Sequence, residues 1–117
     1  MSFRFQNFPL YKDIKKYIKT IYSLSAAFPK EEQFGITNQL RRAATSIALN
    51  IAEGSDRGSD KDFRRFINMA IGSLNETVAI FDISLENGFI NKKNYDIMLA
   101  QAESIVKQLS GFSKSLK

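Results

Sequence analysis

Two carboxylates, Glu53 and Glu76, are the first residues of this sequence to consider for acid–base chemistry. The chain contains no histidine and no cysteine, which excludes imidazole catalysis, thiol nucleophiles, disulfides and the usual zinc ligand sets. Helical bundles do build di-metal sites from glutamates, but those sites also take a histidine from a Glu-x-x-His pair. We therefore expect no enzyme activity, no metal and no cofactor.

The acidic connection EGSDRGSDKD resembles a calcium-binding loop in its alternating aspartates. Counted from Asp56, however, its twelfth position is Ile67, where a calcium loop needs a bidentate glutamate. A turn between two helices accounts for the segment better, with Gly54 ending one helix and Ser59 capping the next.

Basic residues outnumber acidic ones, 17 to 12, and the formal net charge is +5. Such an excess attracts phosphates over long range, so nucleic acid is a plausible class of partner. One group of lysines recurs at three- and four-residue steps, opposite the apolar residues of the first predicted helix. This lysine stripe comprises Lys12, Lys15, Lys16 and Lys19. It is either a nucleic-acid-binding surface or a solvated helix face. A second basic group, near the EGSDRGSDKD connection, comprises Arg57, Lys61 and Arg64.

Four helices account for the spacing of apolar residues along the chain. Their predicted limits are Pro9 to near Pro29, Thr37 (as N-cap) to Gly54, Ser59 (as N-cap) to Gly88, and Asn91 (as N-cap) to about Phe112. Short connections between them predict an all-α, antiparallel up-down-up-down four-helix bundle. We expect one domain over residues 1–117, with residues 1–8 as an N-terminal extension.

Each helix carries one stripe of apolar residues that predicts the core. The stripes are Leu10, Ile14, Tyr17, Ile18, Ile21, Leu24 and Phe28; Leu40, Ala43, Ala44, Ile47 and Ile51; Phe63, Ile67, Ala70, Leu74, Val78, Phe81 and Leu85; and Tyr95, Met98, Leu99, Ala102, Ile105, Val106, Leu109 and Phe112. In the N-terminal extension, Phe3, Phe5 and Phe8 flank Arg4. We expect these rings to pack on the end of the bundle or on a neighbouring subunit rather than stack on single-stranded nucleic acid.

The second and third helices each have an additional apolar face opposite the core stripe. A helix with two apolar faces usually has two neighbours that cover them. The alternative is that packing within one chain already covers these residues. We favour homo-oligomerisation, with the charged members of the two faces paired in the interface or at its rim. The predicted interface residues are Arg42, Leu49, Glu53, Arg65, Met69, Gly72, Glu76, Ile80 and Ile83.

The strings RRAATSIALNIAEG and AIGSLNE resemble the signature of small bacterial proteins encoded within intervening sequences of 23S ribosomal RNA genes. The resemblance extends from about Tyr11 to Phe112. It implies a four-helix bundle assembled into a homo-oligomeric ring, a pentamer, and it transfers no catalytic residue. A distant relative with the same fold and assembly is the accessory variability determinant of diversity-generating retroelements, a basic factor that associates with nucleic acid.

Taken together, charge and resemblance predict a non-enzymatic, homo-oligomeric accessory protein that associates with RNA or DNA through basic surfaces. The alternative is a protein–protein interaction scaffold, without a nucleic-acid role, whose partner is a protein encoded nearby. No window approaches the roughly 20 apolar residues that a membrane span needs, so we expect a cytoplasmic protein with no membrane partner.

Overall fold

The computed structural model describes residues 3–116, so residues 1, 2 and 117 of the predicted domain lie outside the described part. Four α-helices form the chain: α1, Pro9–Ser25; α2, Ile36–Ser55; α3, Asp60–Glu86; and α4, Lys92–Ser115. Short 3-10 turns at Arg4–Asn7 and Lys30–Glu32 precede α1 and α2. The described part of the chain contains no β-strand, which confirms the predicted all-α class.

The helices contact one another in cyclic order, as expected for a four-helix bundle. Helix α1 packs against α2 and α4, and α3 packs against the same two helices. The α2–α3 pairing is the most extensive of the four. The resulting body measures 44 × 24 × 20 Å. None of its helices is both long and apolar enough to cross a membrane within the described residues.

The predicted core stripes line the interior of this bundle. Most of their members are buried, and the rest, apart from the half-buried Leu99, pack against the core as partly buried side chains. The largest fully buried side chain is Tyr17, whose hydroxyl lies 2.9 Å from the Thr77 hydroxyl on α3. This bond satisfies the polar end of an otherwise apolar contact between two helices.

Three of the predicted helix starts are confirmed, two of them by a capping hydrogen bond. Pro9 occupies the first turn of α1. Ser59 caps α3 by accepting from the Asp62 N–H at 3.1 Å, and Asn91 caps α4 by accepting from the Asn94 N–H at 2.8 Å. Past the end of α3, Gly88 has a φ of 75°, and the Phe89 N–H donates to the Ser84 carbonyl at 2.8 Å. This is a Schellman ending, which favours glycine at that position.

The predicted start of α2 is wrong. The helix begins at Ile36 after Gly35, and Thr37 lies buried in its first turn with no bond from its hydroxyl. The Glu32 carboxylate accepts from the Ile36 N–H at 3.3 Å instead. The preceding 3-10 turn therefore supplies the acceptor that the sequence pattern assigned to Thr37.

The other helix ends differ slightly from the prediction. Helix α1 ends at Ser25, before Pro29, and α2 continues through Gly54 to Ser55.

Ile80 is a correction to the predicted interface set. It is only 4% exposed and belongs to the core. The Ser73 hydroxyl bonds to Ser46 of α2, and Ile80 lies seven residues after Ser73, about two helical turns, so Ile80 lies on the same side of α3. The α2–α3 contact therefore covers Ile80 within one chain.

Candidate functional site

The lysine stripe is a solvent-facing positive surface on α1. All four of its lysines are exposed, and none forms an ion pair within residues 3–116. The Lys15 ammonium lies over the Tyr11 ring, 5.2 Å from its centroid. The one carboxylate of α1, Asp13, accepts a hydrogen bond from the Gln108 amide of α4 at 2.9 Å. Asp13 is therefore engaged with α4 and forms no ion pair with the lysines of the stripe.

The second basic group is partly neutralised. The Arg57 guanidinium bonds to the Glu53 carboxylate and also lies over the Phe66 ring, 4.8 Å from its centroid. Lys61 and Arg64 form no ion pair within the described residues. This group therefore offers fewer free cations to a phosphate than the lysine stripe does.

The outer face of the α2–α3 pair exposes large apolar side chains. Leu49 is 62% exposed, Met69 47% and Ile83 48%. Each points away from a core that is already filled, so packing within one chain does not cover them. Packing within one chain therefore covers Ile80 but leaves these three side chains exposed. For Leu49, Met69 and Ile83, the alternative of coverage by a second copy stays open.

The charged residues of this outer face are predicted to pair in the oligomer interface or at its rim, so their contacts within one chain show which charges remain available for that pairing. Arg42 and Glu76 form no ion pair in the described part of the protein, whereas Glu53 binds Arg57. Arg65 lies 3.7 Å from Asp62, one turn earlier on its own helix. The remaining predicted pairings would have to form between chains, and nothing in a single chain tests them.

Arg41 of α2 forms hydrogen bonds with the last turn of α1. Its guanidinium donates to the Ser25 hydroxyl at 2.9 Å and to the Tyr22 carbonyl at 3.2 Å. It also lies over the Tyr22 ring at 4.6 Å. Its donors therefore satisfy carbonyl and hydroxyl groups at the end of α1. The sequence pointed to Arg41 as a signature position but gave no signal for this capping role.

A small hydroxyl network joins α2 to α3. The Ser73 hydroxyl donates to the Ser46 hydroxyl at 3.0 Å, and the Asn50 amide donates to the Ser46 carbonyl at 2.9 Å. These short side chains keep the two helices close while satisfying their own polar groups. The signature residues Ser46, Asn50 and Ser73 thus have a packing role.

Gly54 and Gly72 have contrasting surroundings. A Cβ on Gly54 would lie 2.6 Å from the Phe66 Cβ and 2.9 Å from Phe63 Cδ1, so only glycine permits this approach of α2 to α3. A Cβ on Gly72 would meet no atom within 4 Å. Gly72 therefore serves no packing purpose inside one chain, although glycine weakens a helix interior.

The N-terminal segment docks onto the bundle through Phe5 and Phe8, as predicted, but not through Phe3. Arg4 donates to the Ser55 carbonyl at 2.9 and 3.2 Å and lies over the Phe8 and Phe63 rings. Phe8 packs against Phe112 with a centroid distance of 5.1 Å. Phe3 remains exposed at the edge of a groove of about 740 Å³ that reaches α2.

Two tyrosines have raised pKa values, and neither sits in a catalytic arrangement. Burial raises the pKa of Tyr17 to about 12, against a smaller opposing effect of its bond to Thr77. The hydrogen bond to Asp82, together with partial desolvation and the nearby negative charge, raises the pKa of Tyr95. Within residues 3–116, no group of three or more acidic side chains is arranged to hold a metal ion.

Fold and surfaces together define a class of protein: a small all-α bundle with one strongly basic helix face and an exposed apolar face on another pair of helices. The family model of the 23S rRNA-intervening sequence protein matches residues 6–111, so the chain belongs to that family.

The fold is shared with a crystal structure of a protein of unknown function from the S23 ribosomal protein family of Bacteroides thetaiotaomicron. The two chains are 24% identical, and they superpose with a TM-score of 0.82 over 90% of this chain and 98% of the other. At this identity the likeness concerns the fold alone. No curated protein matches the sequence.

Proposed function

We propose that this protein is a non-enzymatic accessory factor that associates with RNA or DNA through basic surfaces, as a homo-oligomer in the cytoplasm. The observation that carries the proposal is the lysine stripe of α1. Its four ammonium groups are exposed, lie on one helix face and have no ion-pair partner within the described residues. The phosphodiester backbone of a nucleic acid matches this surface, because a row of phosphates binds to a row of cations and does not require a shaped pocket.

Assembly would strengthen this binding. Each copy contributes one lysine stripe, so a symmetric ring presents several stripes to one nucleic-acid strand. Modest attraction per copy then sums to strong, salt-sensitive binding without readout of base sequence. Arg57, Lys61 and Arg64 extend the basic surface of each copy to a smaller degree.

The proposed assembly uses the outer face of the α2–α3 pair. Leu49, Met69 and Ile83 supply apolar area, and Arg42 and Glu76 supply charges that lack a partner in one chain. Gly72 leaves open space in which a neighbouring backbone can approach closely. The subunit number that the family resemblance implies is five. Within each copy we propose that the helices alternate in direction, which is supported by the bond from Arg4, before α1, to Ser55, at the end of α2.

The test is charge reversal of the stripe. The variant Lys12→Glu, Lys15→Glu, Lys16→Glu, Lys19→Glu is expected to lose at least about a hundredfold in affinity for single-stranded RNA or DNA at low salt. A matched control reverses Lys92, Lys93, Lys107 and Lys114, which are exposed on α4 and give the same change in net charge. Fluorescence anisotropy with a labelled oligonucleotide measures both variants.

Three outcomes are informative. Loss in the stripe variant alone supports the proposal. Equal loss in both variants shows that net charge, and not the stripe, drives binding. Unchanged binding in a folded stripe variant contradicts the phosphate-contact proposal. If the wild-type protein ignores nucleic acid altogether, the second candidate is favoured: an interaction scaffold for a protein encoded nearby, for which exposed Phe3 and Ile97 supply apolar contact area.

A further inference from the structure

Phe34 is the most exposed large apolar side chain of the described protein, at 89%. It lies in the connection between α1 and α2, which is built from defined turns. The Glu32 N–H donates to the Pro29 carbonyl at 2.9 Å, and the Gly35 N–H donates to the Glu32 carbonyl at 3.0 Å. Phe28, at the start of the same connection, is buried. The connection thus buries one phenylalanine and presents the other to solvent.

A groove of about 610 Å³ lies beside this connection, between the end of α1 and the outer side of α2. Tyr22 and Leu49 contribute apolar surface to it, and both are exposed. Arg41 and Arg42 make it basic. Arg42 forms no ion pair within residues 3–116. The groove therefore suits an apolar side chain that is accompanied by negative charge.

We propose that Phe34 of one copy inserts into this groove on a second copy. The charges are complementary, because the exposed Glu31 lies three residues before Phe34, and Arg42, which has no ion-pair partner within the described residues, lines the groove. An aromatic anchor in a pocket, with a surrounding charged contact, is the usual form of an interface hot spot. This inference rests on the homo-oligomeric assembly proposed above and specifies one of its contacts.

The positions of Phe34 and the groove determine the type of symmetry that the assembly can have. Phe34 and the groove are different surfaces of the same chain, so the contact is heterologous and joins copies head to tail. Phe34 lies just before the start of α2, whereas the groove extends along α2 from Asn38 to Leu49. A heterologous contact closes into a ring when the rotation between neighbouring copies is a whole fraction of a turn, and this is the geometry that the proposed cyclic assembly requires.

Nucleic acid is the competing occupant of the groove. The contacts of Arg41 argue against it, because its guanidinium already donates to Ser25 and Tyr22. The exposed Leu49 offers nothing to a phosphate, whereas it adds apolar area against a phenyl ring.

Cysteine cross-linking tests the contact directly, because the chain has no cysteine of its own. Thr45 lines the groove, and it lies about 14 Å along α2 from the end that follows Phe34. That separation prevents a disulfide within one chain. The double variant Phe34→Cys, Thr45→Cys is expected to give an oxidised ladder of covalent oligomers on a denaturing gel. A mixture of the two single variants is expected to stop at cross-linked dimers.

The control pairs Phe34→Cys with Ala100→Cys, on an exposed position of α4. This pair is expected to give no ladder. Cross-linking of Phe34→Cys with itself would mean that the contact is symmetric, and a fully oligomeric double variant without cross-links would mean that Phe34 lies elsewhere. Either result overturns the inference.

Substitution of Phe34 supplies a second test. Because the side chain is exposed within one chain, Phe34→Ser should leave the helicity of the chain unchanged by circular dichroism and raise the dissociation constant between subunits at least tenfold. Light scattering of the wild type separates the two proposals. A monomeric wild type refutes the assembly itself, whereas an oligomeric wild type with an equally oligomeric Phe34→Ser variant refutes only the Phe34 contact.

The variant Arg42→Glu tests nucleic acid as the occupant of the groove. Loss of RNA binding without loss of assembly in this variant would assign the groove to nucleic acid and also overturn the inference.

Discussion

Single residues at the α2–α3 contact determine how closely these helices approach. Gly54 sits where any side chain would overlap Phe66 and Phe63. The sequence identified this glycine as a helix terminator, which is its common use. Its actual requirement is steric, and the partner that imposes it lies on the next helix, so no pattern local to α2 could reveal it.

Gly54→Ala is expected to lower the free energy of unfolding by about 1–3 kcal/mol, because the added methyl group must displace a phenylalanine or move α3. Gly111→Ala is the matched control, since a Cβ there meets no atom within 4 Å. That control should raise stability by about 0.5–1 kcal/mol through helix propensity. Urea denaturation followed by circular dichroism measures both, and a Gly54→Ala variant as stable as the wild type would contradict the close approach.

The buried Tyr17 makes the free energy of unfolding depend on pH in the alkaline range. Its pKa is raised to about 12 in the folded protein, while an unfolded tyrosine ionises near pH 10. The folded state therefore keeps a proton that the unfolded state has lost, and stability falls as the pH rises from about 10 to about 12. Two pKa units correspond to a loss of about 3 kcal/mol.

Tyr17→Phe tests this dependence. At neutral pH the variant should lose about 1 kcal/mol with the bond to Thr77, whose hydroxyl still donates to the Leu74 carbonyl at 2.6 Å. Above pH 10 its stability should fall less steeply than that of the wild type. Denaturation midpoints at pH 8, 10 and 11 give the comparison, and parallel curves for the two proteins would mean that Tyr17 is not the responsible group.

At the level of elements, the helices and their interior faces could be predicted because local pattern determines them. Ser59 and Asn91 cap their helices from the position that the pattern assigned. The start of α2 could not be predicted in this way, since its acceptor, Glu32, comes from the preceding turn. Ile80 was misplaced because α3 packs against two helices, which widens its buried arc beyond one stripe.

The same limit applies to the candidate site. The lysine stripe could be predicted from the spacing of its lysines along one helix, and all four lysines are exposed in the structure. The groove beside Phe34 combines residues of α1 and α2, and its lining depends on how those helices pack. Spacing within one helix therefore gave no signal for it.

The outer face of the α2–α3 pair supports a prediction at this scale. Leu49→Asp or Ile83→Asp should dissociate the oligomer and leave helicity intact, because each side chain lies outside the core of one chain. Ile97→Asp is the matched control, an exposed isoleucine of α4 given the same new charge. Size-exclusion chromatography and circular dichroism distinguish the cases. Unfolding of Leu49→Asp would instead place Leu49 in the monomer core.

At the scale of the whole molecule, we propose two surfaces with different tasks. The α2–α3 face and the groove proposed to receive Phe34 would hold copies together, and the α1 lysine stripe of each copy would remain available to a polyanion. Nucleic-acid binding should therefore weaken when assembly fails, even if the lysines are untouched, because separate copies no longer act on one strand. This dependence links the assembly to the proposed function.

Light scattering of the purified protein tests the central claim most directly. The masses are compared with and without a mixed pool of RNA and single-stranded DNA, at low and at physiological salt. We expect a homo-oligomer that gains mass with nucleic acid and loses the added mass as salt rises. An oligomer whose mass never changes with nucleic acid would contradict the accessory-factor role, and a monomer would contradict the assembly on which that role depends.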